Sequence, residues 1–362
     1  MLVQRLFFDE VSVSKSPLRL VILRYLLIGA AMPIGYATAA LLIALAAVSQ
    51  TLAPVDVLPT QAQSAAVPLA KPVGPLGLAK SWGYQLQAPD PVRLADAPHD
   101  VLVIDYSRNG QAEAAFTPAE VTRMKTRRDG TQRIVLAYLS IGEAEDYRFY
   151  WKRSYGWLWG LLAPSWRGPH NAAWAGNYGV RYWEQGWADI IFDKPGSYLE
   201  RIVAAGFDGV YLDKIDEFDD MEKQRPSAKA DMIAFVAKLA AKGRALKPGF
   251  LIVPQNGDEL LVDSGYRAVI DAMAKESLLF GEEGEGIENS DAISAPRIAR
   301  LKQLTAEGKP VFAVEYLDRA AQISSARAAL ESLGFVPHFA SKALDHMRFG
   351  DLPEVGEAMR QP

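Results

Sequence analysis

The sequence has no cysteine, and its 362 residues include only four histidines. Disulfide bonds and thiolate metal sites are therefore excluded. The histidines form no HxH or HExxH pair, which argues against a zinc hydrolase. We expect neither a metal nor an organic cofactor. The four positions are His99, His170, His338 and His346.

Several other motifs are also missing. The sequence contains no GxSxG nucleophile elbow and no GxxxxGKS/T phosphate loop. No block of Lys and Arg stands out, and the formal net charge is −4, so nothing indicates nucleic-acid binding. These absences argue against serine hydrolases of the α/β type, P-loop enzymes and nucleic-acid-binding proteins.

One long apolar segment is present near the N-terminus. Residues 25–48 contain no charged side chain, and about 20 apolar residues suffice to cross a bilayer. Lys15, Arg19 and Arg24 precede the segment, and the next Lys or Arg is Lys71. This asymmetry places the N-terminus in the cytoplasm. We expect an uncleaved signal anchor; the alternative is a cleaved signal peptide with the weak site AAVSQ.

The apolar segment divides the chain into five parts. Residues 1–24 are a cytoplasmic segment, 25–48 a transmembrane anchor, 49–79 an Ala-, Pro- and Gln-rich linker, 80–351 the main folded domain and 352–362 a tail. We expect the folded domain outside the cytoplasm in the cell envelope, attached to the membrane through the N-terminal helix. If the helix is cleaved, the domain is secreted.

Short apolar runs alternate with helical patterns from Lys80 onward. Several runs are apolar at successive positions, which is typical of strands covered on both faces. Eight strands with intervening helices over about 270 residues match a (β/α)8 TIM barrel. An open doubly wound sheet is the alternative, but its usual glycine-rich phosphate loop is absent from WGYQLQAPDP. The runs begin at positions 82, 101, 134, 209, 250, 268, 311 and 335.

Helix boundaries are marked as well. The stretch from Thr117 to Glu120 is a capping box with proline at the first helical position. Ser227 precedes an apolar helical face, and Pro296 is expected to begin another helix. Residues 143–195 do not fit the strand count, and their aromatic content favours an insertion after the third strand. VRYW, which is compatible with a ninth strand, is assigned to that insertion. Helix ends are expected at Gly206, Gly308 and Gly334.

Acids and amides follow most of the predicted strands. Sites of (β/α)8 barrels form at the carboxyl ends of the strands, so these side chains are expected to meet at one mouth. Asp213 closes an apolar strand and shares its inward face with Tyr211. For Asp105, Asp216 and Glu217, a turn cap or a solvated helical turn remains an alternative. Further strand-end residues are Glu143, Glu145, Gln255, Asn256, Glu276, Glu315 and Tyr316.

Convergent carboxylates with aromatic side chains nearby suit carbohydrate chemistry. Sugar rings stack on aromatic faces, and their hydroxyls bind acids and amides. Glycoside hydrolysis needs two carboxyl groups: one protonates the leaving oxygen, and the other attacks the anomeric carbon or activates water. The predicted substrate-binding residues are Tyr84, Asp105, Tyr106, Tyr138, Glu143, Glu145, Arg148, Tyr182, Trp183, Asp216, Gln255, Asn256 and Tyr316.

Seven stretches resemble one known family. WGYQL, VIDYS, AYLSIGEAEDYRFYW, YGVRYWEQGW, GFDGVYLDKIDEF, PQNG and KESLLF are together similar to glycoside hydrolase family 114, described as endo-α-1,4-polygalactosaminidase. The resemblance implies a TIM-type barrel that cuts within chains of α-1,4-linked galactosamine. It also implies a retaining mechanism with Asp213 as the nucleophile and Glu276 as the acid/base. Glu282 or Glu283 is an alternative for the acid/base, and Lys214 has no assigned role.

The predicted acids also suit the charge of the implied substrate, because deacetylated galactosamine is cationic near neutral pH. A cleft ringed by Asp105, Glu143, Glu145 and Asp216 would attract such a polymer and bind its ammonium groups. The expected function is a membrane-tethered endo-glycosidase acting on an amino-sugar polysaccharide. The alternatives are a non-catalytic polysaccharide-binding protein on the same barrel and a glycosidase of different sugar specificity.

Overall fold

A computed structural model describes residues 71–156 and 162–347. The predicted anchor at residues 25–48 and the predicted tail at residues 352–362 lie outside the described residues. Over the two described ranges, no helix is both long enough and apolar enough to cross a membrane. The description below therefore concerns the folded domain.

Eight parallel strands form the centre of an α/β fold. One sheet has the order β1-β2-β3-β7-β8 and a second has the order β9-β10-β11, all parallel. A parallel bridge between Gln255 and Ala274 joins the two sheets. The bounds are β1 Trp82–Gln85, β2 Val101–Ile104, β3 Ile134–Ser140, β7 Gly209–Asp213, β8 Leu251–Pro254, β9 Met273–Glu276, β10 Val311–Glu315 and β11 Val336–Phe339.

The first and last strands meet through side chains. Trp82 Nε1 donates a hydrogen bond of 3.0 Å to the Val336 carbonyl, and the Tyr84 amide donates one of 3.3 Å to His338 Nε2. The strand sequence therefore returns to its start, which gives a TIM-barrel-like fold. His338 is therefore a hydrogen-bonded residue of the barrel.

Both faces of the strands are buried, which explains their continuous apolar runs. In β2, Val101 and Val103 belong to the core inside the barrel, whereas Leu102 and Ile104 belong to the core between strands and helices. The inner core also contains Tyr84 and further inward residues from the other strands. Large side chains such as Trp82, Tyr211 and Phe312 fill it.

Helices follow most of the barrel strands. The capping box is confirmed, because Thr117 Oγ1 accepts from the Glu120 amide while the Glu120 carboxylate accepts from the Thr117 amide. The described helices are α1 Pro91–Ala95, α2 Pro118–Lys125, α3 Arg153–Gly156, α4 Gln185–Ala188, α5 Tyr198–Ala204, α6 Glu217–Met221, α7 Ala228–Leu246, α8 Ser264–Val269, α9 Asp291–Ala306 and α10 Ala320–Ser332. A π-helical turn, Asp189–Asp193, follows α4.

Two predicted boundaries are wrong. The run beginning at position 268 is the end of helix α8, and the sixth barrel strand begins at Met273 instead. Pro296 lies inside helix α9, which starts at Asp291. The predicted helix ends at Gly206, Gly308 and Gly334 are confirmed by positive φ angles of 94°, 78° and 77°.

The insertion after β3 carries a small sheet of its own. Strands β4 Glu143–Glu145, β5 Arg167–His170 and β6 Asn177–Val180 pair antiparallel in the order β4-β6-β5. VRYW is therefore not a ninth barrel strand: its first residue, Val180, ends β6 of the insertion, and the other three residues follow that strand. Gly142 leads into β4, and a Cβ atom there would lie 2.0 Å from the Lys214 carbonyl oxygen. The close approach requires glycine and brings β4 against the end of β7.

Candidate active site

The carboxyl ends of the barrel strands surround a cavity of about 810 Å³, here called the main cavity. The small sheet of the insertion contributes Asn171, Trp174 and Asn177 to its lining. The structure brings together twelve of the fifteen predicted site residues in this lining. They are Tyr84, Asp105, Tyr138, Glu143, Glu145, Arg148, Asp213, Asp216, Gln255, Asn256, Glu276 and Tyr316.

Asp213 and Glu276 are each held by hydrogen-bond donors without charge. Asp213 ends β7 and accepts from the Tyr138 hydroxyl at 2.6 Å and from the Lys214 amide at 2.7 Å. Glu276 ends β9 and accepts from Asn256 Nδ2 and from the Tyr316 hydroxyl, each at 2.8 Å. Neutral donors fix the orientation of a carboxylate and leave its charge uncompensated.

The pKa of Asp213 is raised from 3.8 to about 7. Burial is the largest cause, and the negative charge of Glu276 is the second. The hydrogen bond from Tyr138 acts in the opposite direction. The two carboxyl groups are therefore coupled, and the ionisation of one disfavours the ionisation of the other.

The backbone turns sharply where these strands end. Lys214, Asn256 and Ser277 follow β7, β8 and β9, and their φ angles are 58°, 60° and 51°. Residues other than glycine seldom adopt this left-handed conformation, which costs on the order of 1–3 kcal/mol each. All three line the main cavity. Such conformations concentrate at functional sites, where the surrounding structure enforces them.

Arg148 neutralises two of the predicted substrate-binding acids. Its side chain is 1% exposed, and both Nη1–O distances to Asp105 are short, at 2.9 and 2.7 Å. Its Nε donates to Glu145 at 2.6 Å, and the Tyr147 hydroxyl donates to the same carboxylate. Burial raises the pKa of Asp105, and the Arg148 guanidinium opposes that shift. Asp105 and Glu145 therefore form an internal ion-pair network.

Lys214 lies between two further carboxylates. Its Nζ is 3.3 Å from Glu143 and 3.4 Å from Glu217. Glu143 also accepts from the side-chain amides of Asn171 at 2.7 Å and Asn177 at 3.0 Å. The pKa of Glu217 is raised to about 8, because burial and the charge of Glu143 outweigh the attraction of Lys214. One ammonium group thus serves two carboxyl groups, and the raised pKa of Glu217 favours its neutral form.

Asp216 differs from the other acids of the cavity. Over residues 71–156 and 162–347 it takes part in no ion pair, and it lines the main cavity next to Lys214. Burial raises its pKa, while the charges of Lys214 and Lys275 lower it. Of the four acids predicted to bind ammonium groups, the other three form ion pairs with Arg148 or Lys214, and Asp216 does not.

Three predicted substrate-binding residues do not line the main cavity. Tyr106 is buried in the outer core against Tyr198, with ring centroids 4.7 Å apart. Tyr182 is also buried, and its hydroxyl donates to the Ala228 carbonyl at 2.9 Å. The ring of Trp183 lies under the Arg225 guanidinium at 4.9 Å. The prediction that these three aromatic residues bind substrate is wrong, because their side chains pack against the protein instead.

Glu282 and Glu283, the two alternatives for the acid/base, lie outside the main cavity. Glu282 and Glu283 are exposed in the loop after β9; Glu282 pairs with Arg297 at 2.8 Å, and Glu283 accepts from the Ser290 amide. Neither lines the main cavity, whereas Glu276 does. The geometry therefore favours Glu276 over both.

Several lining residues escaped the sequence prediction. Trp174 is 63% exposed at the cavity and presents a free aromatic face. Asn171 and Asn177 donate to Glu143. Lys275 is buried outside the lining and donates to Oδ1 of the lining residue Asn256 at 2.9 Å. The aromatic character of the insertion indicated that it belonged to the site, but no pattern identified which of its residues face the cavity. Across the described ranges, His, Asp and Glu form no group of three able to hold a metal ion.

Comparisons with known proteins agree with this architecture. The glycoside hydrolase domain of PelA from Pseudomonas aeruginosa has the same fold, with a TM-score of 0.57 and 24% identity over 74% of this chain and 97% of that domain. An uncharacterized protein of Thermotoga maritima is 38% identical over 66% of this chain and 71% of its own length. Another, from Deinococcus radiodurans, is 35% identical over 77% of this chain and 85% of its own.

A family profile decides the assignment. The profile of glycoside hydrolase family GH114 matches residues 59–351, which is most of the chain. This confirms the resemblance inferred from the sequence motifs. The chain belongs to glycoside hydrolase family GH114.

Proposed function

We propose that this glycoside hydrolase is an endo-acting enzyme that cleaves an amino-sugar polysaccharide built of α-1,4-linked galactosamine. The observation that carries the proposal is the pairing of Asp213 and Glu276 in one cavity, each fixed by a tyrosine hydroxyl. Two carboxyl groups at one sugar-sized site are what glycoside hydrolysis requires. Their neutral partners leave both groups able to exchange protons.

In the proposed retaining mechanism, Asp213 is the nucleophile and Glu276 the acid/base. Glu276 protonates the leaving glycosidic oxygen while an Asp213 oxygen attacks the anomeric carbon, so the C–O bond breaks and a glycosyl ester forms. Water, deprotonated by Glu276, then attacks the anomeric carbon; the bond between that carbon and the Asp213 oxygen breaks, and the free sugar end and both carboxyl groups are regenerated.

The coupling between the two carboxyl groups is compatible with these roles. A proton on Glu276 removes the charge that raises the pKa of Asp213. The Tyr138 hydroxyl and the Lys214 amide then stabilise the Asp213 anion. The proposed mechanism starts from one proton on the pair, with Asp213 charged as the nucleophile and Glu276 carrying the proton for the leaving oxygen.

The charge of the cavity supports a cationic substrate. Six carboxylates and four cationic side chains line it, and Arg148 and Lys214 already pair with three of those acids. Asp216 is left to bind a sugar ammonium group. Of the four acids that the sequence predicted to bind ammonium groups, only this one keeps that role in the proposal. The exposed face of Trp174 offers a stacking surface for a sugar ring.

A reducing-end assay tests the proposal. The folded domain is incubated with partly deacetylated poly-α-1,4-galactosamine, with its fully acetylated form and with other amino-sugar polymers, and Asp213→Asn serves as the inactive control. We expect new reducing ends, formed fastest from the deacetylated polymer. Preference for the acetylated form would contradict the role of Asp216, and tight capture of polymer without new ends would indicate a binding protein instead.

The location of the enzyme is a separate proposal. The charge asymmetry around residues 25–48 supports a domain held at the outer side of the membrane. Cell fractionation followed by protease treatment of spheroplasts checks it. We expect the full-length chain in the membrane fraction and its domain to be digested from outside; a protected domain would contradict the orientation.

A further inference from the structure

A second cavity of about 650 Å³ adjoins the main cavity. The two share Tyr316 and Lys342 in their linings, so the second cavity lies directly beside the main one, next to the ends of β10 and β11. Protein sites for small ligands usually measure about 300–1,000 Å³, so this volume is large enough for a sugar unit. Its walls come from three segments, residues 285–287, 317–319 and 340–342.

The lining of the second cavity offers groups that a polar ligand can use. Glu285, Asp318 and Arg319 are exposed there, and in the part of the chain that the structure describes none of them forms an ion pair. This differs from the main cavity, where Arg148 and Lys214 are engaged by acids. Carboxylate and guanidinium groups together bind the hydroxyl and ammonium groups of a hexosamine.

The second cavity also has an apolar side and a fixed loop. Ile287 is 52% exposed in its wall. Gln322, on helix α10, donates to the Gly286 carbonyl at 2.9 Å and thereby attaches the loop to the helix. A wall with both apolar and polar parts suits a sugar ring, which has an apolar face and a polar rim.

Tyr316 links the two cavities physically. Its hydroxyl donates to Glu276, which holds the ring in place at the boundary between them. A polymer that crosses this ring extends from the carboxylate pair into the second cavity. A site beyond the cleaved bond increases the affinity for a polymer over a short fragment, because additional units of the same chain are bound.

We propose that the second cavity is an additional subsite for a hexosamine unit of the same polysaccharide. The proposal rests on the proposed function for the identity of the polymer. Asp318 and Glu285 bind the ammonium group of this unit, and Arg319 donates to its hydroxyl oxygens. Selectivity for long chains over short ones is then determined at this subsite.

The experiment compares chain lengths in a double variant, Glu285→Gln with Asp318→Asn. The matched control, Glu288→Gln with Glu331→Gln, removes the same charge from exposed positions outside both cavities. Glu288 lies on the same loop as Glu285, and Glu331 lies on helix α10, which follows the loop that carries Asp318. Binding of partly deacetylated poly-α-1,4-galactosamine and of the galactosamine disaccharide is measured in an Asp213→Asn background. The ratio of kcat/KM values for polymer and disaccharide is measured with Asp213 present.

We expect the subsite variant to lower the polymer-to-disaccharide ratio about threefold to tenfold, the size expected for two exposed charged contacts. The control should leave the ratio unchanged. A ratio unchanged in the subsite variant, or lowered equally by the control, would overturn the inference. If the enzyme with Asp213 releases no reducing ends but the binding ratio still falls, the proposed hydrolysis fails and the subsite stands.

Discussion

Five of the six carboxylates that line the main cavity, together with Glu217 beside it, form two clusters that differ in what holds them. In the first, here called the neutral-donor cluster, Asp213 and Glu276 accept hydrogen bonds from Tyr138, Asn256 and Tyr316. In the second, the ion-paired cluster, buried or partly buried cations hold the acids. Its members are Asp105, Glu143, Glu145, Glu217, Arg148 and Lys214.

The partners of a carboxylate distinguish the two proposed reacting groups from the acids of the ion-paired cluster. A cation next to a carboxylate stabilises its charged form and opposes the effect of burial. For Glu217, which shares Lys214 with Glu143, burial still raises the pKa to about 8. A tyrosine hydroxyl or an amide orients the group with a smaller effect on its charge. Burial and the charge of Glu276 therefore raise the pKa of Asp213 to about 7 against the opposing hydrogen bond from Tyr138. In the proposed mechanism, the same residue types therefore serve as reacting groups at the ends of β7 and β9 and as ion-paired scaffold after β2 and β3.

The largest expected effect is on the neutral-donor cluster. Asp213→Asn and Glu276→Gln should each lower kcat by at least about a thousandfold, because each removes a group that transfers a proton or attacks carbon. The measurement is release of reducing ends, and an unchanged denaturation midpoint shows that the fold is retained. Near-normal turnover in either variant would contradict the assignment.

A matched control and a rescue experiment sharpen this prediction. Glu282→Gln and Glu283→Gln, at exposed positions of the loop after β9, should keep normal activity. Added azide should react with an activated glycosyl donor to give an inverted glycosyl azide in the Asp213 variant. It should give a retained product in the Glu276 variant, because only there does the covalent intermediate still form. The opposite stereochemistry would exchange the two roles.

The next effect is on the ion-paired cluster. Arg148→Met should destabilise the fold by about 3–5 kcal/mol, because it leaves Asp105 and Glu145 buried without their cation. Chemical denaturation measures the loss. Arg128→Gln removes an exposed pair with Asp96 and should cost less than about 1 kcal/mol. Equal losses in the two variants would show that burial does not distinguish these pairs.

The sequence predicted the barrel well where local patterns determine structure. The strand Gly209–Asp213 has the bounds read from its apolar run, and the Thr117 capping box is present. The sixth strand was misplaced because its residues Met273–Glu276 include Lys275 and Glu276, which a pattern of apolar residues does not identify. Lys275 is nevertheless buried, since it donates to the Asn256 side chain.

The sequence did not predict which cation pairs with which acid. Glu143 and Glu145 are two positions apart on β4, yet Lys214 pairs with one and Arg148 with the other. Arg148 was expected to touch substrate, but its side chain is 1% exposed between two carboxylates. Which cation meets which acid depends on contacts between β2, the insertion and the end of β7, and no local spacing encodes those contacts.

The smallest expected effect concerns Glu217, the member of the ion-paired cluster that shares its cation. Its pKa is raised from 4.5 to about 8. A raised pKa means that the folded state binds the proton more tightly than the unfolded state does. The resulting stabilisation is fully present below the unfolded pKa and is lost as the pH rises through the folded one. Glu217→Gln keeps a neutral side chain at every pH.

The free energy of unfolding should therefore respond to pH differently in the two proteins. Between about pH 5 and about pH 8.5, the parent should lose on the order of 2–4 kcal/mol more than Glu217→Gln. Asp213 and Glu315 also have raised pKa values, but they are present in both proteins and cancel in the difference. Glu331→Gln, an exposed control, should follow the parent. If the free energy of unfolding of Glu217→Gln follows that of the parent, the pKa of Glu217 is not raised. In that case Lys214 keeps Glu143 and Glu217 charged together, and one cation is enough to stabilise two buried carboxylates.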